Sequence, residues 1–136
     1  MLIFDEQINR EAVIEPVRSW AKAHRLIEVR PKEHIYDDRI PHLLRKLNRP
    51  TFITIDEGFW NRKLRDKSYC ILFLALRDRQ QPKIPYLLRK LLRLPNFKTK
   101  TLRMGKVVRV STANIEYWQL GDQSIHALNW PTSHRK

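Results

Sequence analysis

The chain contains five short apolar runs. Most of them lack the strict apolar–polar alternation of a strand that has one solvent-exposed face. This pattern is typical of strands that are buried on both faces of a parallel sheet. The runs cover residues 2–4, 26–29, 52–55, 70–76 and 107–110. We therefore predict five core strands over these residues.

Between these runs the apolar residues recur at helical spacing. The clearest case is segment 39–47, whose apolar positions fall at i, i+3, i+4 and i+7, with Pro41 in the first turn and Asp37 or Asp38 as the N-cap. Segments 8–24 and 84–94 also have helical periodicity. Residues 40–47 and 84–91 share the sequence Ile-Pro-x-Leu-Leu-Arg-Lys-Leu. We interpret this repeat as convergence on one amphipathic helix rather than as an internal duplication.

The alternation of strand and helix over residues 2–110 predicts an α/β fold. We expect a three-layer α/β/α sandwich in which helices cover both faces of a mostly parallel central sheet. The length of 136 residues fits a single domain over residues 1–136. Residues 111–136 are interpreted as a peripheral piece with an edge strand near 115–120 and a basic tail. With 42% hydrophobic residues and only 3 Gly, disordered and collagen-like classes are excluded.

The single cysteine, Cys70, excludes an internal disulfide and fits a reducing compartment. Because it lies in an apolar run, we expect a buried and inert thiol. A strand-like segment follows Met1 directly, so we expect no signal peptide. The longest apolar stretch, residues 69–76, is too short to span a bilayer. These features predict a cytoplasmic protein without a membrane anchor.

The chain is strongly basic, with 27 Lys and Arg against 14 Asp and Glu and a net charge of +13. Such an excess predicts a polyanionic partner, first of all nucleic acid, although a basic surface without a partner is the alternative. Residues 77–109 hold eleven of the cations and one acid, Asp78. Trp60 is a candidate for base stacking or for the core, and Phe59 is expected in the core. The candidate phosphate contacts are Arg45, Lys46, Arg62, Lys63, Arg89, Lys90 and Arg93.

Six of the acidic residues form three adjacent pairs, and each pair follows a predicted strand. The pairs are Asp5-Glu6, Asp37-Asp38 and Asp56-Glu57. Ligands of open α/β sheets bind outside the carboxyl ends of the strands, so we expect the three pairs to converge on one crevice. Crowded carboxylates repel one another unless a cation neutralises them, and oxygen ligands without a Cys/His cluster favour Mg²⁺ or Mn²⁺ over zinc. Each pair alone also has a structural interpretation, as a helix cap or a turn.

These motifs resemble the PIN-like ribonuclease superfamily, in particular its small bacterial, toxin-type branch. Chains of that branch begin with a strand and an Asp-Glu-Asn-like motif, to which residues 4–7 are similar. The family's second acid, before its second helix, matches Asp38. Its strand-three motif, roughly Ile-Thr-x-Asp-x-Asp-Phe, matches residues 53–59. The chain departs from the pattern at Gln7, where Asn is usual, and at Gly58, where a further acid often stands.

The resemblance implies a PIN-like fold and a metal-dependent endoribonuclease. In such an enzyme Asp5, Asp38 and Asp56 hold Mg²⁺ or Mn²⁺, which activates water for attack on an RNA phosphodiester. Glu6 is a further candidate metal ligand, and Glu57 is a catalytic candidate that supplies the oxygen missing at position 58. Because many relatives are toxins, the resemblance makes a small antitoxin protein a candidate partner beside RNA, and a homodimer is a candidate assembly.

Two other classes of protein share part of this pattern. A PIN-like domain that binds nucleic acid or protein without cleaving is favoured by Gly58. A receiver-like signalling domain also carries acids after its first strand and an Asp after its third. It needs Ser or Thr after the fourth strand and Lys after the fifth, where this chain has residues 76–78 (Leu-Arg-Asp) and 111–112 (Ser-Thr).

Overall fold

The computed structural model describes residues 1–29 and 37–131. Helices α1 to α5 are Glu15–Arg18, Leu26–Val29, Ile40–Arg45, Ile84–Leu91 and Lys100–Arg103. Strands β1 to β7 are Leu2–Phe4, Ala23–Arg25, Thr51–Thr54, Cys70–Leu74, Lys106–Val110, Asn114–Gln119 and His126–Asn129. A π-helical turn, Arg10–Ile14, leads into α1, and the 3₁₀ turns are Asp37–Arg39, Glu57–Phe59, Arg62–Leu64 and Asp78–Lys83.

All seven strands belong to one sheet with the order β2-β1-β3-β4-β5-β6-β7. The first five in this order are parallel, and β6 and β7 are antiparallel additions. The predicted α/β fold with a mostly parallel sheet is thereby confirmed. In the parallel part, Phe4 lies opposite Ile53 and Ile53 opposite Leu72. Strand ends that are far apart in sequence therefore meet at one edge.

Apolar side chains from the two faces of the sheet form two separate core clusters. One face packs against α1 and α4 through residues such as Val17 and Leu88. The other packs against α2 and α3 through residues such as Leu26 and Leu44. Helices therefore cover both faces of the parallel strands, an arrangement compatible with a three-layer sandwich. Within the described residues, no helix is both long and apolar enough to cross a membrane.

The prediction of a second strand at residues 26–29 is wrong, because this segment is the helical turn α2 and the strand β2 precedes it. Glu28 accounts for the difference. Its carboxylate accepts a hydrogen bond from the backbone N–H of Arg25 over 2.9 Å and pairs with Arg18 over 2.7 Å. The first contact satisfies a backbone donor at the start of a helical turn, which favours helix over strand.

The predicted helices exist, with shorter bounds. The segment 8–24 is helical only from Arg10 to Arg18, after which the chain turns into β2. The prediction that Asp37 or Asp38 caps α3 is wrong, since the N-cap is Arg39 and makes no side-chain capping bond. Both aspartates instead lie in a 3₁₀ turn that runs directly into the helix.

The C-terminal piece is more regular than the sequence predicts. The strand expected near 115–120 is β6, but it is not an edge strand, because β7 pairs with it. The predicted basic tail, apart from its start, lies outside the described residues. As expected, Cys70 is buried, and burial raises the pKa of its thiol to about 12. Phe59 lies in the core and Trp60 is partly buried against it.

Candidate functional site

Three acidic residues from separate segments meet at the carboxyl edge of the parallel strands. Asp5 directly follows β1, and Asp56 lies two residues beyond β3, the strand that pairs with β1. Asp37 opens the 3₁₀ turn before α3. We call this region the acidic edge. It comprises Asp5, Glu6, Asp37, Asp38, Asp56 and Glu57.

Thr54, the last residue of β3, connects two of these acids. Its buried hydroxyl donates to Asp5 Oδ2 over 2.7 Å and accepts from the backbone N–H of Asp56 over 3.0 Å. The other carboxylate oxygen of Asp5 accepts from the N–H of Glu6 over 2.8 Å. With 6% of its surface exposed, Asp5 is held in one orientation by two donors.

Proximity and burial shift the titration of the acidic edge. Burial raises the pKa of Asp5, the hydrogen bonds from Thr54 and Glu6 oppose this rise, and the charges of Asp56 and Glu6 add to it. For Asp37, burial, the neighbouring carboxyl group of Asp56 and the charges of Asp5 and Glu6 all raise the pKa. Ionisation of Asp37 beside these carboxylates is therefore unfavourable.

The carboxyl group whose pKa is raised by Asp56 is that of Asp37, whereas the resemblance implied its neighbour Asp38 as the ligand. Both line a pocket of about 350 Å³ beside the acidic edge. The remaining residues of this pocket are Pro41, Asp56, Gly58, Phe59, Asn61 and Leu64. The other two carboxylates of the acidic edge, Glu6 and Glu57, are exposed to solvent.

Asp56 also has a structural role, because it is the N-cap of the turn Glu57–Phe59. Its Oδ1 accepts from the backbone N–H of Gly58 over 2.9 Å. A Cβ atom at position 58 would lie 3.2 Å from that oxygen, which is tighter than an ordinary contact. Glycine therefore fits this cap better than the acid that PIN-like chains often carry there.

The donor chemistry of the acidic edge fits a hard divalent cation, since its ligands are carboxylate oxygens that repel one another. Their arrangement fits less well. Within residues 1–29 and 37–131, no group of three or more His, Cys, Asp or Glu side chains has a geometry that could hold a metal ion. The expected three-ligand group of Asp5, Asp38 and Asp56 is therefore not formed by the side chains as the structure describes them.

The predicted phosphate contacts have different surroundings. Arg45 pairs with Asp66 over 2.7 Å, and Arg62 lies 5.5 Å from the ring centre of Trp118. The remaining predicted contacts, Arg89, Lys90 and Arg93, lie on α4 or just beyond its end. Six of the seven candidates are exposed, and only Lys90 is partly buried; the exposed ones are Arg45, Lys46, Arg62, Lys63, Arg89 and Arg93.

The roles of two residues at the site depend on contacts between distant segments. Thr54 belongs to the motif that suggested the family, but its hydroxyl contacts depend on the pairing of β1 with β3. Asp37 was expected at the crevice as part of the pair Asp37-Asp38, with helix capping as the alternative, but its position beside Asp56 depends on the 3₁₀ turn before α3. In each case the missing signal was the relative position of two segments.

Comparisons of the chain with known proteins give no family assignment. No protein-family model matches the sequence, and neither curated proteins nor solved structures give a match. The function must therefore be argued from the site itself.

Proposed function

We propose that this protein is a divalent-metal-dependent endoribonuclease with its reaction centre at the acidic edge. The observation that carries the proposal is the meeting of Asp5, Asp37 and Asp56, which come from three separate segments, in a chain of net charge +13. A role in capping or turn formation does not require three carboxylates to lie close together. Their mutual repulsion lowers the stability of the folded state. Such crowding is typical of functional sites.

The chain's own residues would prepare this centre for a phosphodiester. Asp5 is fixed by Thr54 and Glu6, so its carboxylate has one orientation and little freedom to lose. Asp37 and Asp56 both line the pocket of about 350 Å³ beside the acidic edge. A bound Mg²⁺ or Mn²⁺ would supply an activated water and neutralise the charge that develops on the phosphate.

A second candidate function, binding of RNA without cleavage, is favoured by one observation. The described residues do not form a three-ligand metal group, and Gly58 stands where the resembled family often has another acid. This candidate requires the basic surface alone. It differs from the nuclease in a single measurable property, metal-dependent strand scission.

The deciding experiment compares Asp56→Asn with the wild type on a generic single-stranded RNA in Mg²⁺ or Mn²⁺. Cleavage should fall by orders of magnitude, because the change removes a charge that the centre needs. The free energy of unfolding should stay unchanged or rise slightly, because Asn caps a helical turn about as well as Asp and the repulsion is relieved. Asp122→Asn, an exposed acid between β6 and β7, is the matched control and should cleave normally.

Metal binding provides a second readout in the same experiment. Mg²⁺ or Mn²⁺ should raise the melting temperature of the wild type more than that of Asp56→Asn, because only an intact site gains stability by mass action. An Asp56→Asn protein that cleaves normally, is destabilised and responds to metal as the wild type does would refute the nuclease assignment. Wild-type binding to RNA with no cleavage in either metal would leave the non-catalytic candidate.

A further inference from the structure

The outer side of α4 carries an unusual combination of cations and aromatic rings. Three residues of the helix and one residue just beyond its end are spaced i, i+3, i+4 and i+7 and lie on the side opposite the buried apolar residues. We call these four residues, together with the two tryptophans beside them, the basic-aromatic stripe. It consists of Tyr86, Arg89, Lys90 and Arg93, flanked by Trp20 and Trp130.

Each flank of the stripe pairs a cation with a tryptophan from a distant part of the chain. The guanidinium carbon of Arg89 lies 5.7 Å from the ring centre of Trp20, which follows α1. Lys90 Nζ lies 4.6 Å from the ring centre of Trp130, beyond β7, and 5.1 Å from that of Tyr86. The indole N–H of Trp130 donates to the carbonyl of Ser111 over 2.7 Å and so fixes this ring.

The cations of the stripe have no ion-pair partner among the residues that the structure describes; this holds for Arg89, Lys90 and Arg93. The surrounding sequence agrees with this, because residues 79–115 contain no Asp or Glu. A cation–π contact at an exposed site is worth only about 0.5–1 kcal/mol and leaves the charge in place. Within the described residues, three cations therefore lie unpaired on α4 and just beyond its end.

One aromatic side chain stays free to contact a ligand. Tyr86 is 68% exposed, far more than any other large hydrophobic or aromatic residue that the structure describes. The flanking Trp20 and Trp130 are partly buried against the core, so they frame the stripe and keep one edge toward solvent. An exposed ring at one end of a row of cations is an arrangement that can stack a base while phosphates lie against the charges.

We infer that the basic-aromatic stripe is a binding surface for single-stranded nucleic acid, separate from the acidic edge. An acidic peptide would match the charge but would not use the ring of Tyr86 for stacking. A duplex would hide its bases from that ring. The turn that leads into α4 is bonded to the segment that follows Asp5 and Glu6, because Gln81 of that turn bonds to the backbone of Gln7 and Asn9. If the proposed nuclease activity is correct, a strand bound here leads towards the reaction centre.

The test measures fluorescence anisotropy of a labelled oligouridine of about 12 nucleotides, within the range that one single-strand site covers. The measurement is made in EDTA, so that cleavage plays no part. Tyr86→Ala should weaken binding on the order of tenfold, because one stacked base is lost, and Tyr86→Phe should bind as the wild type does. His42→Ala removes the residue at the same place in the repeated sequence of α3 and should have no effect.

Salt dependence tests the cations independently of the ring. Lys90→Gln should reduce the slope of log affinity against log salt by about 0.7, the value for one phosphate contact to a single strand. Lys67→Gln, which removes the same charge from an exposed position outside the stripe, should leave the slope unchanged. Because both measurements detect binding, a protein that binds through the stripe but never cleaves supports this inference and refutes the nuclease.

Three results would overturn the inference. One is Tyr86→Ala binding as tightly as the wild type. Another is polyglutamate competing as well as unlabelled oligouridine, which would indicate an acidic protein partner. The third is a duplex of equal length binding as tightly as the single strand, since a duplex has no free base for Tyr86.

Discussion

The segments 40–47 and 84–91, which begin with α3 and form α4, have the same eight-residue sequence apart from one position, yet they lie in different surroundings. On the buried side the two copies are equivalent, since Leu44 and Leu88 are both fully buried. On the exposed side they differ, because Arg45 pairs with Asp66 and its counterpart Arg89 lies over Trp20. One arginine meets a carboxylate and the other meets a ring.

The comparison shows that local sequence decides which side of a helix is buried, whereas distant sequence decides what its charges do. The spacing of Leu and Ile is enough to place the apolar side against the sheet. Asp66 lies in the turn before β4, and Trp20 lies two residues beyond α1. A count of positive charges in the sequence therefore does not distinguish a cation that is already paired from one that is available to a ligand.

The largest expected effect tests the equivalence of the buried sides. Leu44→Ala and Leu88→Ala should each lower the free energy of unfolding by about 2–5 kcal/mol, because each removes a fully buried side chain and leaves a cavity. Urea unfolding measures both changes, and Leu102→Ala, at a residue that is 43% exposed, serves as the control. A large cost in one copy and a negligible cost in the other would show that the repeat is not structurally equivalent.

A smaller effect tests the pairing that is particular to α3. Burial opposes the shift, but the hydrogen bonds from Arg45 and Ser68 hold the pKa of Asp66 below its ordinary value. A lowered pKa means that Asp66 contributes stability above its unfolded value of 3.8, and this is lost as the pH falls through the folded pKa. Asp66→Asn should lower the free energy of unfolding at neutral pH by less than about 1 kcal/mol, because Arg45 is half exposed.

The free energy of unfolding of both proteins is measured by urea titration at neutral pH and at about pH 3, where most carboxylates of ordinary pKa are protonated. The difference between Asp66→Asn and the wild type should shrink in acid. A difference that is equally large at both pH values would show that the contact depends on shape rather than charge. Arg45 would then be as available to a ligand as Arg89.

The smallest effect concerns the turns that lead into the two helices. The pKa of Asp37, before α3, is raised above the unfolded value of 3.8. Ionisation of Asp37 therefore lowers the free energy of unfolding, and this loss develops as the pH rises from 3.8 through the folded pKa. In EDTA, Asp37→Asn should therefore raise the melting temperature slightly at neutral pH and lose this gain in acid. Asp78→Asn, before α4, should give no such gain, because Asp78 accepts a bond from Gln81. Equal changes in melting temperature for the two variants would contradict the conclusion that neighbouring carboxylates make ionised Asp37 unfavourable.

Much of the fold could be predicted because it depends on burial. Four strands lie inside the sheet with both faces covered, namely β1, β3, β4 and β5. Because both faces are buried, each of these strands appears in the sequence as an apolar run. β7 escaped prediction for the opposite reason. Only alternate residues of this strand, His126 and Leu128, are partly buried, which leaves almost no apolar signal.

The acidic edge could be predicted as a region but not in its details. The positions of Asp5 and Asp56 after two strands were sufficient to expect them together, since parallel neighbours end at the same edge. The choice between Asp37 and Asp38 depends on one residue of rotation in a 3₁₀ turn, which apolar periodicity does not fix. The role of Thr54 depends on the register of β3 against β1.

Gln81 joins two loops that are more than 70 residues apart in sequence. Its side chain accepts from the N–H of Asn9 over 2.6 Å and donates to the carbonyl of Gln7 over 3.0 Å, and it is itself buried. Neither loop can leave its place without breaking bonds to the other, so the segment after Asp5 and the entry to α4 form one cooperative opening unit. A fluctuation that exposes the acidic edge would therefore also release the first turn of the helix that carries Tyr86. The slow exchange of the Asn9 amide hydrogen would report on both regions at once.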